Sequence, residues 1–158
     1  MTKVISSILL FIFLFNTHVL GNIKIGIVLG FTGPIESLTP AMADAAELAF
    51  KEASESGILL DGKKIKMIKE DTTCTNPDLA LVASEKVISE GVSAIIGAVC
   101  PEITKTVLLN SAIPNNITMI SPAETSSLLN NINDKGLFFR TTPSDTRGGE
   151  ILADITKD

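Results

Sequence analysis

The chain has 158 residues, a formal charge of −5 and 45% apolar residues, enough for one buried core; its acidity, without a basic run, argues against nucleic acid or anionic lipid as partner. It has no tryptophan and no tyrosine, so base-stacking platforms and aromatic carbohydrate clamps have only phenylalanine to draw on. His18, Cys74 and Cys100 are its only imidazole and thiol groups.

Met1, Thr2 and Lys3 precede "VISSILLFIFLF", Val4 to Phe15, which carries no charge. An apolar run of this length is too short to span a bilayer, which takes about 20 residues. A basic start, a short apolar core and a polar stretch ending in small residues describe a secretory leader. Val19 and Gly21 stand at positions −3 and −1, so cleavage is expected before Asn22, with a signal peptide over 1–21 and a mature chain over 22–158. No cysteine follows the apolar core to take a lipid anchor. Removing Lys3 makes the mature chain one charge unit more acidic, and removing His18 leaves it without histidine.

The mature chain then alternates. "IKIGIVLG", Ile23 to Gly30, reads as a buried strand of branched residues bounded by glycine. "FTGPIESLTP" is a loop. Met42, Ala45, Ala46, Ala49, Phe50 and Ala53 then recur at helical spacing opposite Asp44, Glu47 and Lys51, which predicts an amphipathic helix. Gly57 and Asp61-Gly62 signal the turn into a second strand, Lys64 to Asp71. Asn76-Pro77-Asp78 places a cap, a first-position proline and a first-turn acid before a helix that stops at Gly91. "VSAIIGAV" is a third strand, followed by a helix from Glu102 to Ala112. "NITMIS" is a fourth strand, "PAETSSLLNN" a short turn or helix, "GLFFRTT" a fifth strand, and a last helix begins at Ser144 or Asp145.

Strict alternation of strand and helix predicts an α/β fold, a parallel sheet with helices on both faces in a flavodoxin-like three-layer arrangement. Ligands of such sheets bind outside the carboxyl ends of the strands, so the segments of interest are 32–40, 72–76, 100–104 and 121–127. Cys74 and Cys100 fall in this set, after the second and third strands. In an exported chain with no mature histidine and no Cys-x-x-Cys spacing, a disulfide is expected in preference to a metal or redox pair. Adjacent strands approach closely enough for the bridge to form between their loops.

Other chemistry is absent from the sequence. Gly26, Gly30 and Gly33 do not match G-x-G-x-x-G, no G-K-[ST] occurs, and no G-x-S-x-G elbow is present. Glu70 and Asp71 can hold magnesium at a strand end, and they read equally well as a solvated strand end. No metal site, cofactor or catalytic residue is assigned. "MISPAETSS" is the richest polar segment, with Ser121, Thr125, Ser126 and Ser127 beside free backbone donors. Those groups suit a small zwitterion or carboxylate, and they suit a helix cap as well.

The segments "IKIGIVLGFTGP", "DTTCTNPDLALVASEKVI", "AIIGAVC", "MISPAETSS" and "LFFRTTPSDTRGGEILAD", in that order, resemble the periplasmic leucine/isoleucine/valine-binding protein family. These are type I substrate-binding proteins of ATP-binding-cassette importers. The resemblance covers Ile23 to Asp158 and corresponds to the first of two lobes, so the chain is expected to be truncated, with a second lobe missing. It implies a periplasmic, non-enzymatic binding protein that delivers a branched-chain or other aliphatic amino acid to an inner-membrane permease. A short amide, urea-like compound or organic acid is the alternative ligand, and a flavodoxin-like signalling or enzymatic domain the alternative class. The resemblance further implies that the Ala123 carbonyl meets the ligand ammonium, and that Thr125 meets ammonium and carboxylate. Cys74 and Cys100 match the family disulfide. Pro101 stands where the family has a serine that binds carboxylate, and Leu38 stands near a position that is tyrosine in some members.

Overall fold

The computed structural model describes residues 22–58 and 62–157. The leader expected over 1–21 lies outside the described residues, as does Asp61 of the expected turn. Among the described residues no helix is long and apolar enough to cross a membrane.

Five parallel strands form one sheet: β1 (Ile23–Leu29), β2 (Ile65–Asp71), β3 (Ala94–Gly97), β4 (Thr118–Ser121) and β5 (Phe138–Arg140), in the order β2-β1-β3-β4-β5. The central strands are the most apolar, as a sheet covered on both faces requires; Ile27, Val28, Leu29 and Ile95 are fully buried. Chain order reverses between β1 and β3. That topological switch opens a crevice at the carboxyl ends of these two strands.

Helix α1 (Thr39–Glu55) covers one face, where Ile27, Leu29 and Ala43 pack with Phe31, Phe50, Met67 and Ile96. Helices α2 (Pro77–Ser89) and α3 (Pro101–Val107), the latter continuing through a π-helical turn over Leu108–Ala112, cover the other. Their core joins Val28, Val87, Ile95, Ile103, Leu108 and Met119. Ser84 and Ser111 meet at 2.7 Å where α2 and the π turn are buried together, so neither hydroxyl is left unpaired.

The start of α2 follows the sequence: the Asn76 side chain accepts from the amides of Asp78 and Leu79 at 2.9 and 3.2 Å, and Pro77 opens the helix. The packed stripe of α1 differs from expectation. Thr39 and Ala43 are its buried residues; the expected Met42, Ala46, Phe50 and Ala53 are half-buried, as is Ser54, and Ala45 and Ala49 face solvent. The helix starts three residues earlier than Met42, and Thr39 sets its rotation by donating to the Gly30 carbonyl at 2.8 Å. Strand β5 is shorter than the expected "GLFFRTT", because the Thr141 and Thr142 hydroxyls turn to loop carbonyls at Pro122 and Glu124.

The final helix, α4 (Asp145–Ile155), is capped by Ser144, which accepts from the Thr146 amide. None of its residues is buried.

Candidate functional site

All the loops singled out from the sequence lie at the carboxyl ends of the strands. Two of them are drawn together by Asp71, the last residue of β2. Its Oδ1 accepts from the amides of Phe31, Thr32 and Thr73 at 2.8, 3.2 and 2.8 Å, and its Oδ2 accepts from the Thr32 hydroxyl. Burial works against this charge, but the Thr32 hydroxyl and the amides of Thr73, Thr32 and Phe31 outweigh it. The Asp71 carboxyl is therefore held below the ordinary aspartate value. Both its oxygens are engaged by loop donors, and Glu70 pairs with Lys86 at 2.6 Å. Among the described residues no group of acids, histidines or cysteines is placed to hold a metal ion.

Gly33 makes the approach of these loops possible. It has φ +91°, and a Cβ there would stand 2.4 Å from the Thr73 carbonyl oxygen. Gly97 plays the same part at the end of β3, where a Cβ would meet the Val28 carbonyl oxygen at 2.0 Å. The Cys74–Cys100 disulfide, with Cα atoms 5.7 Å apart, joins the β2 loop to the start of α3 as expected.

The loop after β4 is the most heavily cross-linked. Ser121, fully buried, donates to the Ala98 carbonyl and accepts from the Glu124 amide at 3.0 Å. Thr125 donates its hydroxyl to Asp145 at 3.1 Å, while its carbonyl accepts the Asp145 amide at 2.8 Å. Arg140 reaches the Ser126 carbonyl at 3.0 Å and the Asn130 side chain at 2.8 Å. Ser126 caps the following turn of 3₁₀ helix, Ser127–Leu129, by accepting from the Leu128 amide. Capping thus falls to Ser126, and Thr125 remains on the strand-end face.

Within this network the Ala123 carbonyl and the Thr125 amide are left open. Among the described residues, neither the Ala123 carbonyl nor the Thr125 amide has a hydrogen-bond partner. Both residues are half-buried. One acceptor and one donor, two residues apart at the mouth of the sheet, can serve the two ends of a zwitterion.

Pro101 begins α3 and lines a shallow hollow with Cys74, Thr75, Pro77, Cys100, Glu102 and Ile103. As proline it supplies no amide to that helix start. Leu38 precedes α1 and is 57% exposed, with its amide bonded to Ile35. Ala123 and Thr125 thus lie on the loop after β4, Pro101 at the first position of α3 and Leu38 at the end of the loop after β1. Two participants were not singled out. Glu124 reads as a surface acid inside a polar loop, and Asp145 as a first-turn acid; the lone acid within the run of small residues 121–127 was the available signal.

These features make the molecule a three-layer α/β lobe whose cross-linked strand-end loops form an open, non-metal site for a small polar ligand. The periplasmic binding protein family profile matches residues 22–157, and the chain belongs to that family. The Leu/Ile/Val-binding protein of Escherichia coli K12 is 28% identical over 138 residues, covering 87% of this chain and 36% of the relative. An ABC transporter substrate-binding protein from Desulfitobacterium hafniense, solved in complex with Leu, superposes with a TM-score of 0.69 at 28% identity, covering 86% of this chain and 38% of that one. The branched-chain amino acid substrate-binding protein LivJ of Streptococcus pneumoniae, in complex with isoleucine, gives 0.69 at 26% identity, covering 79% and 35%. The chain therefore spans about a third of the length of the curated relatives it matches.

Proposed function

We propose that this chain is the first lobe of an exported solute-binding protein serving an ATP-binding-cassette importer, and that it captures a branched-chain or other aliphatic amino acid. The observation that carries this reading is the open acceptor at Ala123 beside the open donor at Thr125. An α-amino acid presents an ammonium and a carboxylate at neighbouring positions, which pair with such a site without a large protein charge. Binding makes and breaks no covalent bond. Its driving force is the replacement of water by fixed hydrogen bonds together with burial of the aliphatic side chain.

The names of the relatives support this ligand class: one is a Leu/Ile/Val-binding protein, and two solved structures contain Leu or isoleucine. The remaining parts follow. A second lobe of the same polypeptide closes over the ligand, and the exposed Ile151, Leu152 and Ile155 on α4 support further polypeptide packing there. An inner-membrane permease receives the solute, and the leader over 1–21 directs the protein to the periplasm. Pro101 favours a second reading, a short amide or urea-like solute, since the start of α3 lacks one donor that a carboxylate would use.

A thermal-shift screen of the full-length polypeptide against amino acids, amides and carboxylates tests both readings. Leucine, isoleucine or valine is expected to give the largest rise. A rise with amides alone would replace the first reading by the second, and no rise with any member would overturn both.

A further inference from the structure

Glu124 is a carboxylic acid only 1% exposed, flanked by the half-buried Ala123 and Thr125. Among the described residues it forms no ion pair. Removing a carboxyl group from water is costly unless its oxygens find donors. Here each polar end of the residue has one partner, two of them in its own loop and two from α3 and the segment after β5. Its amide donates to Ser121 at 3.0 Å, and its carbonyl accepts from the Thr142 hydroxyl at 3.1 Å. Its Oε2 accepts from the Thr104 hydroxyl in α3 at 3.2 Å, and its Oε1 accepts from the Ser126 amide at 2.7 Å.

These bonds have a directional consequence. A trans peptide is planar, and its N–H and C=O point in opposite directions. The Glu124 amide is aimed at the buried Ser121 hydroxyl, so the Ala123 carbonyl in the same peptide plane is turned away from the interior. The Glu124 carbonyl is aimed at Thr142, so the Thr125 amide in the next plane is turned the other way. The side-chain bonds to Thr104 and Ser126 hold the residue between those planes against rotation.

We infer that Glu124 is a positioning residue of the ligand site: from beneath the loop it fixes the two peptide planes that present the Ala123 carbonyl and the Thr125 amide. This rests on the reading of the site given under Proposed function. The carboxyl group touches no ligand. It acts through its neighbours, so a ligand that uses both the Ala123 carbonyl and the Thr125 amide depends on it more than one that uses a single group.

The test uses the oxidised chain from Asn22 to Asp158, which contains the whole sheet, both helical layers and the disulfide. L-Leucine and 4-methylpentanoate, which is leucine without its ammonium group, are titrated to about 50 mM while backbone amide shifts of residues 121–127 are followed. Glu124→Ala should weaken leucine, which uses both planes, about five- to tenfold, and 4-methylpentanoate, which uses the Thr125 plane alone, less than about twofold. Glu124→Gln, which keeps the volume and an oxygen for the Ser126 amide, should recover part of the loss. Hydrogen exchange at the Ser126 amide should be slow in the parent chain and faster in Glu124→Ala. If that variant does not fold, Glu124→Gln alone decides, with a smaller but still selective loss for leucine expected. Equal losses for the two probes, or an unchanged leucine affinity, would overturn the positioning role and leave the site reading standing. No response of residues 121–127 to leucine in the parent chain would instead overturn the site reading, and the role of Glu124 with it.

Discussion

Thr125 and Asp145 are joined twice: the Thr125 hydroxyl donates to the Asp145 carboxylate at 3.1 Å, and the Asp145 amide donates to the Thr125 carbonyl at 2.8 Å. The pair ties the loop after β4 to the first turn of α4. It also decides the chemistry left to the hydroxyl. A hydroxyl has one hydrogen to give and two lone pairs to offer. With its hydrogen spent on Asp145, Thr125 can only accept from a ligand, which suits an ammonium. Its backbone amide remains the donor for a carboxylate.

Replacing Thr125 therefore separates binding from folding. Thr125→Val nearly conserves volume and should weaken amino-acid binding by the full-length polypeptide by about 1–3 kcal/mol, the range for leaving a charged group without its partner. Thr125→Ser should restore most of it. Calorimetry that finds the parent affinity in Thr125→Val would assign the hydroxyl to holding α4 alone.

The two thiols should be unreactive. Titration of the exported, denatured protein with a thiol reagent is expected to find none, and two after reduction, since Cys74 and Cys100 are bonded to each other. Closing the loop of sequence separation 26 stabilises the fold by about 3–4 kcal/mol on the chain-entropy estimate. A double Cys74→Ala, Cys100→Ala variant should lose stability of that order in urea denaturation. An unchanged midpoint would mean that the bridge does not constrain the unfolded chain.

Asp71 should make stability depend on acid. Its folded value is depressed, so its contribution is complete above the unfolded aspartate value near 3.9 and is lost as pH falls through the lower folded one. The parent chain should therefore lose stability below about pH 4 more steeply than Asp71→Asn, which should already be less stable at neutral pH. Parallel curves of melting temperature against pH would show that the four loop donors do not distinguish the charged from the neutral carboxyl.

The chain from Asn22 to Asp158 should bind leucine only weakly. Its open Ala123 and Thr125 groups face water on a single lobe, and each hydrogen bond made there is worth about 0.5–1.5 kcal/mol net. Two or three such bonds against the entropy of association give about millimolar affinity, weak but within reach of a titration to about 50 mM. Micromolar affinity by calorimetry would contradict this, unless sedimentation shows that two copies associate and rebuild a cleft.

The parallel sheet and its order of elements were legible because they rest on local rules. Branched apolar runs such as Ile23–Leu29 form buried strands wherever helices cover both faces. Asn76-Pro77-Asp78 starts a helix through groups within three residues of one another. The disulfide was legible from compartment and topology together, since both cysteines follow strands of one sheet. Periodicity was less exact on α1, where it favoured Ala45 and Ala49. The rotation of that helix is set instead by the Thr39 bond to Gly30, a contact across a loop that spacing does not encode.

The set of elements, the strand-end loops and the small hydroxyl residues on them could thus be read from residue order, because each depends on nearest neighbours and hydrophobic pattern. Which polar groups are spent and which are open depends on the folded assembly. Glu124, a charged residue in a polar loop, is buried because Ser121, Thr104, Thr142 and Ser126 converge on it from 3, 20, 18 and 2 positions away. Asp71 is taken by a loop some 40 positions distant, and Thr125 by Asp145 across 20. Hydrogen-bond satisfaction is a property of the assembled interior, where every donor must find an acceptor among whatever the fold brings near. The open acceptor at Ala123 and the open donor at Thr125 are among the groups that this matching leaves unspent at the mouth of the sheet.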